Sequence, residues 1–148
     1  MKEAVNHYVL LSIKPKYAKM IWEGKKTVEF RRNLPYSAKM WDSALIYESR
    51  PVRMITGYVD VIVNWGSPNI IWGAFGERGG IDREEYDRYV EGCKSVFVLE
   101  IYNPPRRFEN PIPLSWCSVG RAPQSWRYIP PNLFDILKRT RWRNDDKL

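Results

Sequence analysis

The sequence predicts an α+β domain, a small, mostly antiparallel sheet of five or six strands that curves toward a barrel, with three or four helices at its flanks. Three observations predict it. Short runs rich in β-branched and aromatic residues recur along the chain, separated by Gly, Pro and Asn signals. The longest of them, Met-Ile-Thr-Gly-Tyr-Val-Asp-Val-Ile-Val over 54–63, carries Gly57, which marks a bulge or a bend in a curved sheet. No internal repeat, linker or low-complexity tract divides the 148 residues, a length that suits one domain with a real core.

Taken in order, Tyr-Val-Leu-Leu-Ser-Ile-Lys over 8–14 is a strong strand. Pro15 suits the first position of a helix. Tyr17, Ala18, Ile21 and Trp22 give that helix its apolar stripe, and Gly24 suits the left-handed position that closes it. Residues 27–32 form the second strand, with Thr27, Glu29 and Arg31 on one face and Val28, Phe30 and Arg32 on the other. Residues 33–43 read as a loop, 44–48 as a third strand and 54–63 as a fourth. Residues 68–76 suit a short helix that Gly73 and Gly76 weaken. Asp82 and Glu85 have capping-box spacing, with Ile81 and Tyr86 as the hydrophobic staple, so 83–91 is a helix that Gly92 ends. Residues 95–102 are a strand, and 106–114 an edge strand limited by Pro111 and Pro113. Residues 115–128 read as irregular. A helix follows over 131–140, burying Leu133, Phe134 and Leu137, and a short basic tail over 141–148 is expected to fray.

Charge is unevenly distributed. The chain is net +7 with 14% aromatic residues. Residues 14–32 hold seven Lys or Arg against two Glu, and 119–143 hold six against one Asp, so each is net +5. Residues 77–91 carry six acids against three Arg. Two basic segments with aromatics point to a polyanionic partner. The single His7 argues against a Ser-His-Asp triad, and Cys93 and Cys117 lack zinc spacing. No metal and no cofactor is expected. The cysteines read as reduced thiols, and with no leader or membrane-length apolar run in view the expected location is cytoplasmic.

The glycine turn at 22–27 offers backbone N–H groups beside Lys25 and Lys26, a combination that can cradle a phosphate. Such turns are also common as plain solvated helix ends. Glu29 and Arg31 either pair with each other or present a ligand-binding face.

Gly24-Lys25-Lys26-Thr27-Val28-Glu29-Phe30-Arg31 matches a G-x-K-x-x-E-x-R pattern. With Leu-Leu-Ser-Ile-Lys-Pro before it and Ala122-Pro123-Gln124-Ser125-Trp126-Arg127-Tyr128-Ile129 near the end, the chain resembles the ASCH domain, a branch of the PUA-like superfamily, over roughly residues 8–140. The resemblance implies a β-barrel with helices at its rim, the motif beside a cleft suited to RNA or a nucleotide, and a role in RNA metabolism. It also admits an enzyme. Some members resemble amidohydrolases acting on acetylated cytidine, whose motif lysine would be Lys26, but the threonine they place two residues before the arginine is Glu29 here. Other members are ribonucleases, in which Glu29 would be the base and Lys26 or Arg31 would stabilise developing charge. A lysine base would need a depressed pKa. Glu77 and Glu100 are candidates for a second acid.

The expected site therefore has Lys14, Gly24, Lys25, Lys26, Glu29 and Arg31 on one side and Arg121, Ser125, Trp126 and Arg127 on the other. Trp126 serves equally well as a core aromatic. Trp65 and Ser67, in the loop Trp-Gly-Ser-Pro-Asn, are expected to face the cleft, with Trp65 and Trp72 as aromatic-wall candidates. The run 138–143 is a solvated tail or a backbone clamp. The expected partner is RNA or a modified nucleotide, with DNA also admitted, and a regulatory role for the binding module is admitted too. The alternative is a small hydrolase using Lys26 and Glu29.

Overall fold

The structure is a computed structural model describing residues 7–117 and 120–143. Among the described residues, seven strands run as one curled sheet: β1 (Tyr8–Ile13), β2 (Val28–Arg31), β3 (Ser43–Glu48), β4 (Met54–Gly66), β5 (Val96–Ile101), β6 (Arg106–Ile112) and β7 (Trp126–Tyr128). The order is β2-β5-β4-β3-β1-β7, with β6 also paired to β4. The mostly antiparallel curved sheet expected from sequence is therefore present. It has one strand more than expected, it curls without closing, and β1 lies parallel to β3. Four α-helices among the described residues flank it: α1 (Pro15–Trp22), α2 (Pro68–Phe75), α3 (Arg83–Val90) and α4 (Pro131–Lys138). The seventh strand comes from the stretch read as irregular, where Leu10 pairs with Arg127 and Leu11 with Trp126. The loop expected over 33–43 contains a 3-10 helix, Tyr36–Met40.

Burial on both faces explains why β1 and β3 read as nearly continuous apolar runs. Val9, Leu11 and Ile13 pack with Ala18 and Ile21 of α1 on one side. Leu10 joins Phe108, Phe134 and Leu137 beneath α4 on the other. Val28, Phe30, Val96 and Val98 meet Ile71, Tyr86 and Val90 under α2 and α3. The tail departs from expectation at its start. Trp142 bridges to Phe108, and Arg141 and Arg143 form backbone hydrogen bonds with Glu109 and Arg107. Residues 144–148 lie outside the described residues. No helix among the described residues is long and apolar enough to cross a membrane.

Candidate nucleic-acid site

Gly24 closes α1 with φ 78°, the left-handed position expected of it. The turn after it is not an anion cradle. The Lys25 and Lys26 amides both donate to Met20 O, at 2.9 and 3.1 Å, and the Thr27 amide donates to Arg78 O at 2.9 Å. The helix cap and the neighbouring loop consume the N–H groups that a phosphate would need. Lys25 is solvent-exposed and pairs with Glu23 at 3.4 Å.

The charged residues of the motif form an internal network. Lys26 is only 4% exposed. Its ammonium donates to Gly79 O at 2.6 Å and pairs with Glu29 Oε1 at 3.0 Å. Arg31 Nε and Nη2 both reach Glu29 Oε2 at 2.8 Å. Nη2 also donates to Ser12 O at 2.9 Å, and Nη1 donates to Ser125 Oγ at 2.9 Å and Ser125 O at 3.3 Å. Strand alternation fixes this: Glu29 and Arg31 share the face opposite Val28 and Phe30, and Lys26 reaches them from the turn. Burial pushes the Glu29 carboxyl up, but Arg31 and Lys26 outweigh it and hold the group below its ordinary value.

Above this network lies a pocket of about 160 Å³. That is well under the roughly 300–1,000 Å³ of drug-sized sites and suits a single planar ring. Its lining includes Tyr17 of α1, Lys26, Glu29, Arg31, Ile81, and Glu85 and Tyr89 of α3. The Tyr17 hydroxyl donates to Glu85 Oε2 at 2.8 Å, and that bond together with burial pushes its pKa up. Tyr89 donates to Phe30 O at 3.3 Å, and burial pushes its pKa up as well. Two acids balance two bases here, and protein acceptors already engage both bases.

Positive charge open to solvent lies on the far side of the Arg31–Ser12–Ser125 web. Lys14, Arg50 and Arg53 line a groove of about 470 Å³ with Ser12, Pro123 and Gln124, and Ser12 Oγ donates to Pro123 O at 2.5 Å. Arg121, Ser125, Trp126 and Arg127 border an adjoining open groove. Arg121 and Arg127 are exposed, whereas Trp126 is half-buried against Trp41 and Tyr128, with ring centroids 5.1 and 4.9 Å apart.

The structure thus joins Lys26, Glu29, Arg31 and Ser125 in one web and puts Lys14, Arg121 and Arg127 on a groove beside it. Ser67 lies apart as the cap of α2, accepting from the Ile70 amide at 3.4 Å. Trp65 stands at the end of β4 against Tyr36. Trp72 packs on Tyr86. Glu77 is exposed, and Glu100 pairs with Arg78 at 2.9 Å, so neither reaches the pocket. The second acid there is Glu85. Its capping role hid it: its amide does donate to the Asp82 cap at 2.8 Å, but its side chain turns to Tyr17. Tyr17 and Tyr89 were also missed, because helical aromatics read as core.

Comparison with known proteins supports the fold and the family. The ASCH domain model matches residues 11–65. A Zymomonas mobilis protein named ASCH domain-containing ribonuclease is 35% identical over 145 residues, covering 93% of this chain and 86% of the relative. The chain belongs to the ASCH domain family. A serine-to-alanine variant of the Zymomonas mobilis ASCH protein superposes with a TM-score of 0.77 at 26% identity, over 91% of this chain and 96% of that one. Human THYN1, solved in complex with DNA containing 5-methylcytosine, shares the fold at a TM-score of 0.51 and 13% identity, over 88% and 94% of the two chains. Within this ASCH domain, the matched region takes in the motif turn, β2 and most of β4, and stops before α3 and the 121–128 wall.

Proposed function

We propose that this ASCH domain binds single-stranded RNA, taking one base into the Tyr17–Tyr89 pocket while the phosphate chain runs over the groove of Lys14, Arg50, Arg53, Arg121 and Arg127. The observation that carries this reading is the division of labour about Arg31. On one side is a small, charge-balanced pocket walled by two tyrosines. On the other is a groove whose cations have no carboxylate beside them among the described residues of its lining. A flat ring suits the first and a polyanion the second. Single-stranded RNA offers both, because its unstacked bases can be splayed out.

Titrating a labelled RNA strand against rising salt tests the proposal. Affinity is expected to fall steeply with salt, and Arg121→Ala with Arg127→Ala to lower the slope by about one for each phosphate no longer neutralised. Tyr89→Ala is expected to weaken binding and leave the slope unchanged. An affinity that neither set of changes alters would overturn the assignment. Running a DNA strand of the same sequence alongside shows whether the 2′-hydroxyl matters.

The relative named a ribonuclease favours a second reading, in which the bound strand is also cleaved. Glu29 is then a weak choice of base, since its pKa is held low and both of its oxygens are engaged. Incubating end-labelled RNA with the protein decides it. Shorter products that Glu29→Gln still releases would place the base elsewhere along the groove, and an intact strand leaves binding as the whole function.

A further inference from the structure

The 3-10 helix Tyr36–Met40 and the end of β4 present an aromatic shelf that neither the pocket nor the core accounts for. Tyr36 is 67% exposed and Trp65 42%. Their rings meet edge to face with centroids 5.6 Å apart. The Lys39 ammonium stands 4.6 Å from the Tyr36 centroid and 6.0 Å from that of Trp65. Trp65 is anchored beneath by Phe97, at 6.4 Å. Exposed rings gathered into one patch mark an interaction surface, whereas rings scattered singly do not.

The position of the shelf identifies its occupant. Ser37 Oγ and the Tyr128 hydroxyl lie 3.0 Å apart, which ties the 3-10 helix to β7 and so to the groove over 121–128. In the sheet, Arg31 and Trp65 both register with Phe97, one from each side, so the shelf and the Arg31 web share a face. We propose that Tyr36, Lys39 and Trp65 form a second base-stacking platform, engaging a single-stranded nucleic acid that continues along the groove from the pocket. This rests on the RNA-binding reading above. Aromatic faces with a cation at their edge match successive bases and their linking phosphate. A lysine on a flexible stem can leave the ring for that phosphate. The excess positive charge of the chain, +7, favours a polyanion here over a protein surface.

The test compares two probes, a mononucleotide and an RNA strand of roughly ten nucleotides, a length within the span of single-strand sites. Tyr36→Ala is expected to weaken the longer strand about tenfold and leave the mononucleotide unaffected, with Tyr36→Phe restoring most of the loss because stacking needs the ring and not the hydroxyl. Tyr36 is exposed enough that a folding defect is not expected, and thermal unfolding of each variant checks this. Unchanged affinity of Tyr36→Ala for the longer strand would overturn the platform while leaving the pocket reading intact, and would turn attention to a protein or a second copy as occupant. Equal loss on both probes would overturn it as well. If wild-type protein binds neither probe at low salt, the RNA-binding reading itself fails.

Discussion

Glu29 touches two cations, with one carboxylate oxygen on each, and is 16% exposed. Removing its charge leaves the Lys26 ammonium and the Arg31 guanidinium facing each other in a nearly closed site. Breaking a buried pair from one side costs about 3–5 kcal/mol, and the amide of Glu29→Gln keeps an acceptor, which places this change near the lower end. The same geometry sets a pH dependence. The folded pKa of Glu29 lies below its ordinary 4.5. Its charged form is therefore favoured by folding, its contribution is complete above that ordinary value, and it is lost as pH falls through the lower folded value. Thermal unfolding of the wild type is expected to show a midpoint that drops as pH falls below 4.5. Glu29→Gln is expected to begin lower and to drop less. Parallel curves would show that Glu29 contributes nothing through its charge. The motif located these three residues, but their pairing depends on Gly79, Ser12 and Ser125, and no local pattern places those beside residue 29.

At the scale of elements, the pocket depends on where α3 begins. Asp82 caps it with an oxygen 2.8 Å from the Glu85 amide, and the first turn then points Glu85 at Tyr17 of α1. Tyr86, one residue on, anchors the helix by donating to Pro68 O at 2.7 Å. Losing the cap costs about 1 kcal/mol of stability and loosens the turn that carries one pocket wall. Asp82→Ala is therefore expected to lower the denaturation midpoint modestly and to weaken mononucleotide binding, with Asp82→Ser recovering both. A variant that loses stability with no change in mononucleotide affinity would uncouple the cap from the pocket. Elements with strong patterns, such as this capped helix and the strands β1, β4 and β5, were legible in the sequence. β7 was not. Its three residues, Trp126 to Tyr128, follow a stretch with Gly, Pro and Ser, and they become a strand only because β1 offers them an edge.

The whole molecule brings its two basic segments together where Arg31 meets Ser125 and Lys14 shares a groove with Pro123, while the chain end lies on β6. The end has two possible uses, as a clamp for phosphate and as a structural tie, and they predict different things. Trp142 bridges to Phe108, its ring lies 4.3 Å from the Arg106 guanidinium, and Phe108 sits in the core beneath α4. The residues past α4 therefore tie the chain end to β6, which β4 holds in the sheet. Trp142→Ala removes a half-buried ring and no charge. It is expected to cost about 1–3 kcal/mol, which in a domain of this size lowers the thermal midpoint by about 2–4 °C per kcal/mol. The salt slope of RNA binding should stay as in the wild type, since every cation that could neutralise a phosphate is still present. Lys138→Ala with Arg139→Ala is the complementary change, because both side chains are exposed and charged. If the end also clamps RNA, that pair lowers the salt slope at nearly constant stability. If it only ties the sheet, the slope holds and the midpoint answers to Trp142 alone. Should Trp142→Ala leave the midpoint where it was, the bridge to Phe108 carries no weight, and the chain end acts through its charge or not at all.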